Sequence, residues 1–112
     1  MKLTITDEAL HQLQLLQPEG RPNLRMEYDS DGCGCGVNGM PSIYFTNEST
    51  EYDIKVENEH YTIFLDEQQK IFFKPVMTLE WNKRLFRLKS PEGMLNPSLS
   101  SASIKQGGDP RE

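Results

Sequence analysis

The sequence predicts an α+β fold, mostly β, with one helix near the N-terminus and about seven short strands. Three observations predict it. A capped segment with apolar residues at helical spacing opens the chain, from Thr6 to Leu16. From Leu24 onward the apolar period changes to two. The alternating runs are short and are separated by turn-forming Asn, Gly and Pro. A length of 112 residues suits one domain with a single modest core.

Lys2 to Ile5 alternates and reads as a short strand. Thr6-Asp7-Glu8-Ala9 then starts the helix: a hydroxyl to cap it and two acids to favour its positive dipole end. Ala9, Leu10, Leu13 and Leu16 share one helical face, and Pro18 and Gly20 stop the helix. Leu24, Met26 and Tyr28 alternate with Arg25, Glu27 and Asp29, the pattern of a half-buried strand. Ser42 to Phe45 reads as its return strand. Tyr52, Ile54 and Val56 alternate, Asn58-Glu59 turns, and Tyr61, Ile63 and Leu65 continue the pattern. Ile71 to Phe73 is a short apolar run closed by Pro75. Met77, Leu79 and Trp81 alternate, with Trp81 expected in the core. Asn82-Lys83 turns the chain, and Leu85 to Leu88 is the last strand the pattern supports. From Ser90 the texture becomes rich in Ser, Pro and Gly. The expected organisation is one domain over residues 1–97 and a flexible C-terminal tail over 98–112.

The net charge of −5 argues against nucleic acid and anionic membrane surfaces as partners, because both demand a basic face. The N-terminal stretch MKLTITDEALHQ turns polar at once, so no signal peptide is expected. No apolar run approaches the roughly 18 residues of a membrane span. With only two cysteines the chain is not a disulfide scaffold, and a reducing cytoplasm is the expected compartment. No Ser-His-Asp set, P-loop or dinucleotide fingerprint is present.

The chemistry concentrates in Asp29-Ser30-Asp31-Gly32-Cys33-Gly34-Cys35-Gly36, which holds both cysteines one residue apart among three glycines. In a glycine-rich bend both sulfurs can face one ion, and soft thiolates suit zinc, copper(I) and iron–sulfur clusters. The bland reading is two small residues in a glycine turn. Two ligands are half of a structural zinc or [2Fe–2S] set. His11 on the helix and His60 beside a turn reach a metal only through tertiary placement. A second copy of the chain is the other source, since two copies present four thiolates about a symmetry axis. Glu27, Asp29 and Asp31 disfavour the free thiolates by like-charge repulsion, which argues against an activated nucleophile. Glu48, Glu51, Asp53, Glu57 and Glu59 read as an acidic solvated rim. Lys83, Arg84 and Arg87 read as a small basic surface patch.

These residues carry a resemblance. Thr6-Asp7-Glu8-Ala9, the strand Leu24 through Gly32 leading to Cys33, the segment Asp53–Glu57 through Ile63–Asp66, and Phe86-Arg87-Leu88-Lys89-Ser90-Pro91 follow one another as in the HesB/IscA-like domain of the A-type iron–sulfur carriers. The resemblance spans residues 3–91. It implies mixed strands in two packed sheets, a sandwich or barrel-like arrangement with the helix at the N-terminus. It also implies a non-enzymatic scaffold or carrier that binds iron or a [2Fe–2S] cluster in iron–sulfur cluster assembly. Its partners would be assembly factors or apo-protein acceptors, with a homodimer supplying the shared site. It sets Cys33 on the family's first cysteine and makes Cys35 an extra thiol beside it. The family's cluster-carrying members have a second motif, Cys-Gly-Cys-Gly, where this chain has Gly93 to Ser100 and no cysteine. The expected cofactor and metal ligands are therefore Cys33 and Cys35. The alternatives are a thiol redox module built on a Cys-Gly-Cys disulfide, and an interaction domain that kept the fold without the cluster.

Overall fold

Thr6 begins the first helix as its sequence predicts. Its hydroxyl accepts from the Ala9 amide at 3.2 Å, and Asp7 and Glu8 occupy the first turn. The helix α1 runs Asp7–Leu16, buries Ala9 and Leu13 completely, and lays Leu10 and Leu16 against the same core. The computed structural model describes residues 1–28 and 41–106. Their strands are β1 Lys2–Ile5, β2 Asn23–Tyr28, β3 Pro41–Thr46, β4 Asp53–Val56, β5 Ile63–Asp66, β6 Val76–Asn82, β7 Leu85–Ser90 and β8 Gly93–Ser100. A 3-10 helix, Glu67–Phe72, follows β5, and a second α-helix, α2 Ser101–Gln106, follows β8.

The strands form two four-stranded mixed sheets, ordered β1-β6-β7-β8 and β3-β2-β5-β4. Period-two alternation decides which side chains meet between them. One sheet turns Leu24, Met26, Ile43, Phe45, Ile63 and Leu65 inward; the other turns Leu3, Met77, Leu79, Phe86, Leu88 and Leu99. Trp81 is half-buried and sets its ring edgewise to Phe86, centroids 4.8 Å apart.

The two sheets join along one seam by backbone bonds. Leu3 donates to the Glu57 carbonyl at 3.0 Å, and Glu57 donates to the Met1 carbonyl at 3.0 Å, so β1 adjoins the end of β4. At the other seam β3 and β8 are not paired. Helix α2 packs there against both strands, and Ile104 is fully buried in the gap.

One expectation is corrected. The tail does not begin at Ser98: residues 98–106 complete β8 and form α2, and Leu99 and Ile104 belong to the core. A strand poor in β-formers persists there because β7 pairs with it and because Leu99, with Leu95 in part, falls inward. Residues 107–112 lie outside the described ones. The apolar run at Ile71 is the 3-10 helix, capped by Asp66, whose carboxylate accepts from the Gln68 amide at 2.8 Å. Of that run only Phe73 is buried; Ile71 is 81% exposed.

Candidate functional site

Strand β2 ends at Tyr28 and β3 begins at Pro41, and these two residues are register partners. The connection between them, residues 29–40, carries both cysteines. Cys33 and Cys35 lie outside the described residues, as do Asp29 and Asp31. The ends of the connection are described, and each is held by a side-chain amide.

On the β5 side of β2, strand pairing stops at Met26 opposite Leu65. The chain then bends into the 3-10 helix, leaving Tyr28 without a neighbouring strand on that side. Gln69 takes the vacant position: its carboxamide accepts from the Tyr28 N–H at 3.0 Å and donates to the Tyr28 carbonyl at 3.1 Å. One carboxamide so placed satisfies both backbone groups, as a peptide unit of a strand would. The Tyr28 ring stacks on Phe72 with centroids 3.9 Å apart and planes 6° from parallel. Tyr28 is therefore half-buried and covered by the 3-10 helix.

At the other end, the Pro41 carbonyl accepts from the Asn96 side-chain amide at 2.6 Å. Asn96 is 1% exposed, and its own oxygen accepts from the Ser98 N–H at 3.0 Å across Pro97. It sits in β8, the stretch that the resemblance sets against the family's second cysteine motif. Neither Asn96 nor Gln69 stood out in the sequence, because their partners are 55 and 41 residues away.

Acidic charge beside this end of β2 is restrained. The exposed Glu27 accepts from the Tyr44 hydroxyl at 2.7 Å. Burial, and then the neighbouring Glu27 charge, push the Tyr44 phenol well above its ordinary range. Asp53 is not a rim residue as expected: its side chain is 3% exposed and paired with Arg25. A single-sequence reading cannot see that partner, which lies two strands away.

Neither histidine stands in a metal-ligand group among the described residues. His60 sits in the turn before β5, half-exposed, at the opposite end of β2 from Tyr28. Its amide and that of Tyr61 donate to the Asn58 side chain. His11 stands with Asp7, Glu8, Gln12 and Trp81 around an open cleft on α1. Among the described residues no three His, Cys, Asp or Glu side chains come together in a group that could hold a metal ion. The basic patch also divides: Lys83 and Arg84 make the β6–β7 turn, whereas Arg87 pairs with Glu80, which binds Lys89 at 2.8 Å.

Two mixed sheets with a capped N-terminal helix are an architecture that this chain shares with solved Fe–S biosynthesis proteins. A solved structure from Lactobacillus acidophilus, assigned to Fe–S biosynthesis, matches with a TM-score of 0.71 at 22% identity, covering 100% of both chains. The solved structure of IscA with the [2Fe-2S] cluster matches with a TM-score of 0.60 at 16% identity, covering 86% of this chain and 97% of that one. The chain belongs to the iron-sulphur cluster biosynthesis family, whose sequence model matches residues 1–102. The Bacillus subtilis protein YqkB, itself uncharacterized, is 35% identical over 105 residues, which cover 89% of this chain and 96% of that protein. No helix among the described residues is long and apolar enough to cross a membrane.

Proposed function

We propose that the protein is a non-enzymatic carrier of iron or a [2Fe–2S] cluster in iron–sulfur assembly, and that Cys33 and Cys35 hold the cargo. One observation carries the reading. Both thiols of the chain fall in the single connection between the register partners Tyr28 and Pro41, while the described residues offer no rival cluster of metal-binding groups. Membership of the iron-sulphur cluster biosynthesis family and the fold shared with the cluster-bound IscA support it.

Two thiolates leave a [2Fe–2S] cluster half-ligated, so a second copy of the chain supplies the other two. Coordination shared between copies favours delivery, because the cargo leaves when the pair separates or a recipient thiol intrudes. The recipient is an apo-protein or an assembly factor. The net charge of −5 keeps nucleic acid out of this role. The cytoplasm is the compartment in which the thiols stay reduced and available.

Anaerobic reconstitution with ferrous iron and sulfide tests the reading. Charge-transfer absorbance between roughly 300 and 600 nm is expected, with about one iron per chain, the ratio for a cluster shared by two copies. Size measurement should show a pair of chains forming with the colour. A Cys33→Ser, Cys35→Ser double variant should fold and stay colourless. A wild-type chain that is folded and takes up no iron ends the proposal.

A further inference from the structure

Helix α1 keeps one strip of its surface off the core. Ala9 and Leu13 face inward and are completely buried, whereas Asp7, Glu8 and His11 are exposed and Gln12 is half-buried. Spacings of four set Asp7 beside His11 and Glu8 beside Gln12 along that strip. Trp81, in β6, stands against it, and the five residues line an open cleft of about 370 Å³. The indole is steadied from the core side by the buried Phe86, with ring centroids 4.8 Å apart and planes 64° from parallel.

The carboxylates of this cleft are unspent. Among the described residues the ion pairs are Arg25–Asp53, His60–Glu59, Lys74–Glu92, and Glu80 with Arg87 and Lys89, so neither Asp7 nor Glu8 belongs to one. Both acids favour the positive end of α1 through space, which leaves their oxygens open to a ligand. An indole beside two carboxylates attracts a cation, through the ring quadrupole and the acids together. A bare metal ion is not what the cleft selects, because its acids and His11 do not converge into a metal-holding group. A guanidinium suits it better than an ammonium. It is planar and can stack on an indole, and its forked N–H groups can meet a carboxylate and the Gln12 amide oxygen at once. The net charge of −5 draws basic surfaces toward the chain as a whole.

We propose that the cleft between α1 and Trp81 receives an arginine side chain of a protein partner, stacked on Trp81 and paired with Asp7 and Glu8. The inference stands apart from the carrier reading: it needs no iron and concerns what the chain docks with.

Trp81 is the only tryptophan of the chain, so its fluorescence reports on the cleft directly. The full chain is titrated with three end-blocked tripeptides that place arginine, lysine or citrulline between two glycines; citrulline is a neutral analogue of arginine. The arginine peptide should change the Trp81 emission saturably. The lysine peptide should bind roughly threefold more weakly, and the citrulline peptide should give no saturable change. An Asp7→Asn, Glu8→Gln double variant should bind the arginine peptide roughly tenfold more weakly. A Glu48→Gln, Glu51→Gln double variant removes the same charge from exposed positions ahead of β4 and should bind as the wild type does. Should the Asp7→Asn, Glu8→Gln variant fail to fold, NMR of the wild type decides: shifts on adding the arginine peptide should centre on the Gln12 carboxamide and the Trp81 indole N–H. An absent response to the arginine peptide, an equal response to the citrulline peptide, shifts centred elsewhere, or an equal loss in the Glu48→Gln, Glu51→Gln variant overturns the inference. Each of these leaves the carrier reading standing, and a wild type that takes up no iron leaves this inference standing.

Discussion

Arg25 on β2 and Asp53 on β4 meet across the intervening strand β5 through two hydrogen bonds, 3.0 and 2.6 Å long. The carboxylate also accepts from the Thr50 amide at 2.7 Å, and the guanidinium lies 6.0 Å from the Phe64 ring centroid. With Asp53 3% and Arg25 14% exposed, this is a fork-to-fork pair largely shielded from water. Removing one partner strands the other. Asp53→Ala should lower unfolding stability by roughly 3 kcal/mol, the low end for breaking a buried pair. The double replacement Arg25→Met, Asp53→Leu should recover over half of the loss. Urea denaturation read at constant slope measures both; a loss for Asp53→Ala as small as that of a surface pair would refute the burial argument.

The same pair sets an acid limb. The Arg25 hydrogen bond holds the Asp53 carboxyl below its ordinary value, and hydrogen bonds from Lys89 and then Arg87 do so for Glu80. A carboxyl depressed in the folded state contributes fully above its unfolded value, about 3.9 for Asp and 4.3 for Glu. That contribution is lost as the pH falls through the folded value. The urea midpoint should therefore be level from about pH 7 to 5 and should fall below about pH 4. An Asp53→Asn, Glu80→Gln double variant should start lower and fall less over the same acid range. A parallel curve for that variant would place the acid sensitivity elsewhere.

Ile104 is the test of the chain beyond Ser98. It is fully buried in the seam between β3 and β8, in a segment whose composition reads as a tail. Ile104→Ala should cost about 2–5 kcal/mol by lost burial and the cavity left behind. Lys105→Ala, exposed on the same helix, should change stability by less than about 0.5 kcal/mol. Equal effects of the two would return this segment to the status of a tail.

Lys83 carries a positive φ of 62° in the two-residue turn between β6 and β7. An L-residue with a Cβ is disfavoured there by roughly 1–2 kcal/mol, and glycine is not. Lys83→Gly should stabilise by about 0.5–1 kcal/mol, after glycine's greater freedom in the unfolded chain is deducted. Thermal unfolding should show a higher midpoint for this variant and a lower one for Arg84→Gly.

The local elements were legible wherever a residue's role depends on near neighbours. Thr6-Asp7-Glu8-Ala9 marks a helix start by its own capping chemistry, and Leu24-Met26-Tyr28 marks a strand by period. Strand β8 was not legible. Asn96, Pro97 and Ser98 have low strand propensity, and only pairing with β7 and burial of Leu99 hold them extended. Asp53 read as solvated because an acid among acids is normally exposed; Arg25 makes it otherwise. In the candidate site, the paired thiols announce themselves by spacing. Gln69 and Asn96 do not, since a glutamine or asparagine gains its role from what lies opposite.

The sequence by itself determined the kind of the main elements from β1 to β7, the two-sided patterning of most strands, the family resemblance and the thiol pair between β2 and β3. Only the tertiary structure decided that β1 lies parallel to β6 and joins the end of β4, that Arg25 finds Asp53, and that Gln69 and Asn96 grip Tyr28 and Pro41. Periodicity and capping act within a few residues and are written in the local order of side chains. The grips on Tyr28 and Pro41 span 41 and 55 residues. Such pairings exist only once two sheets have closed on a common core and left particular backbone groups without a strand to bond.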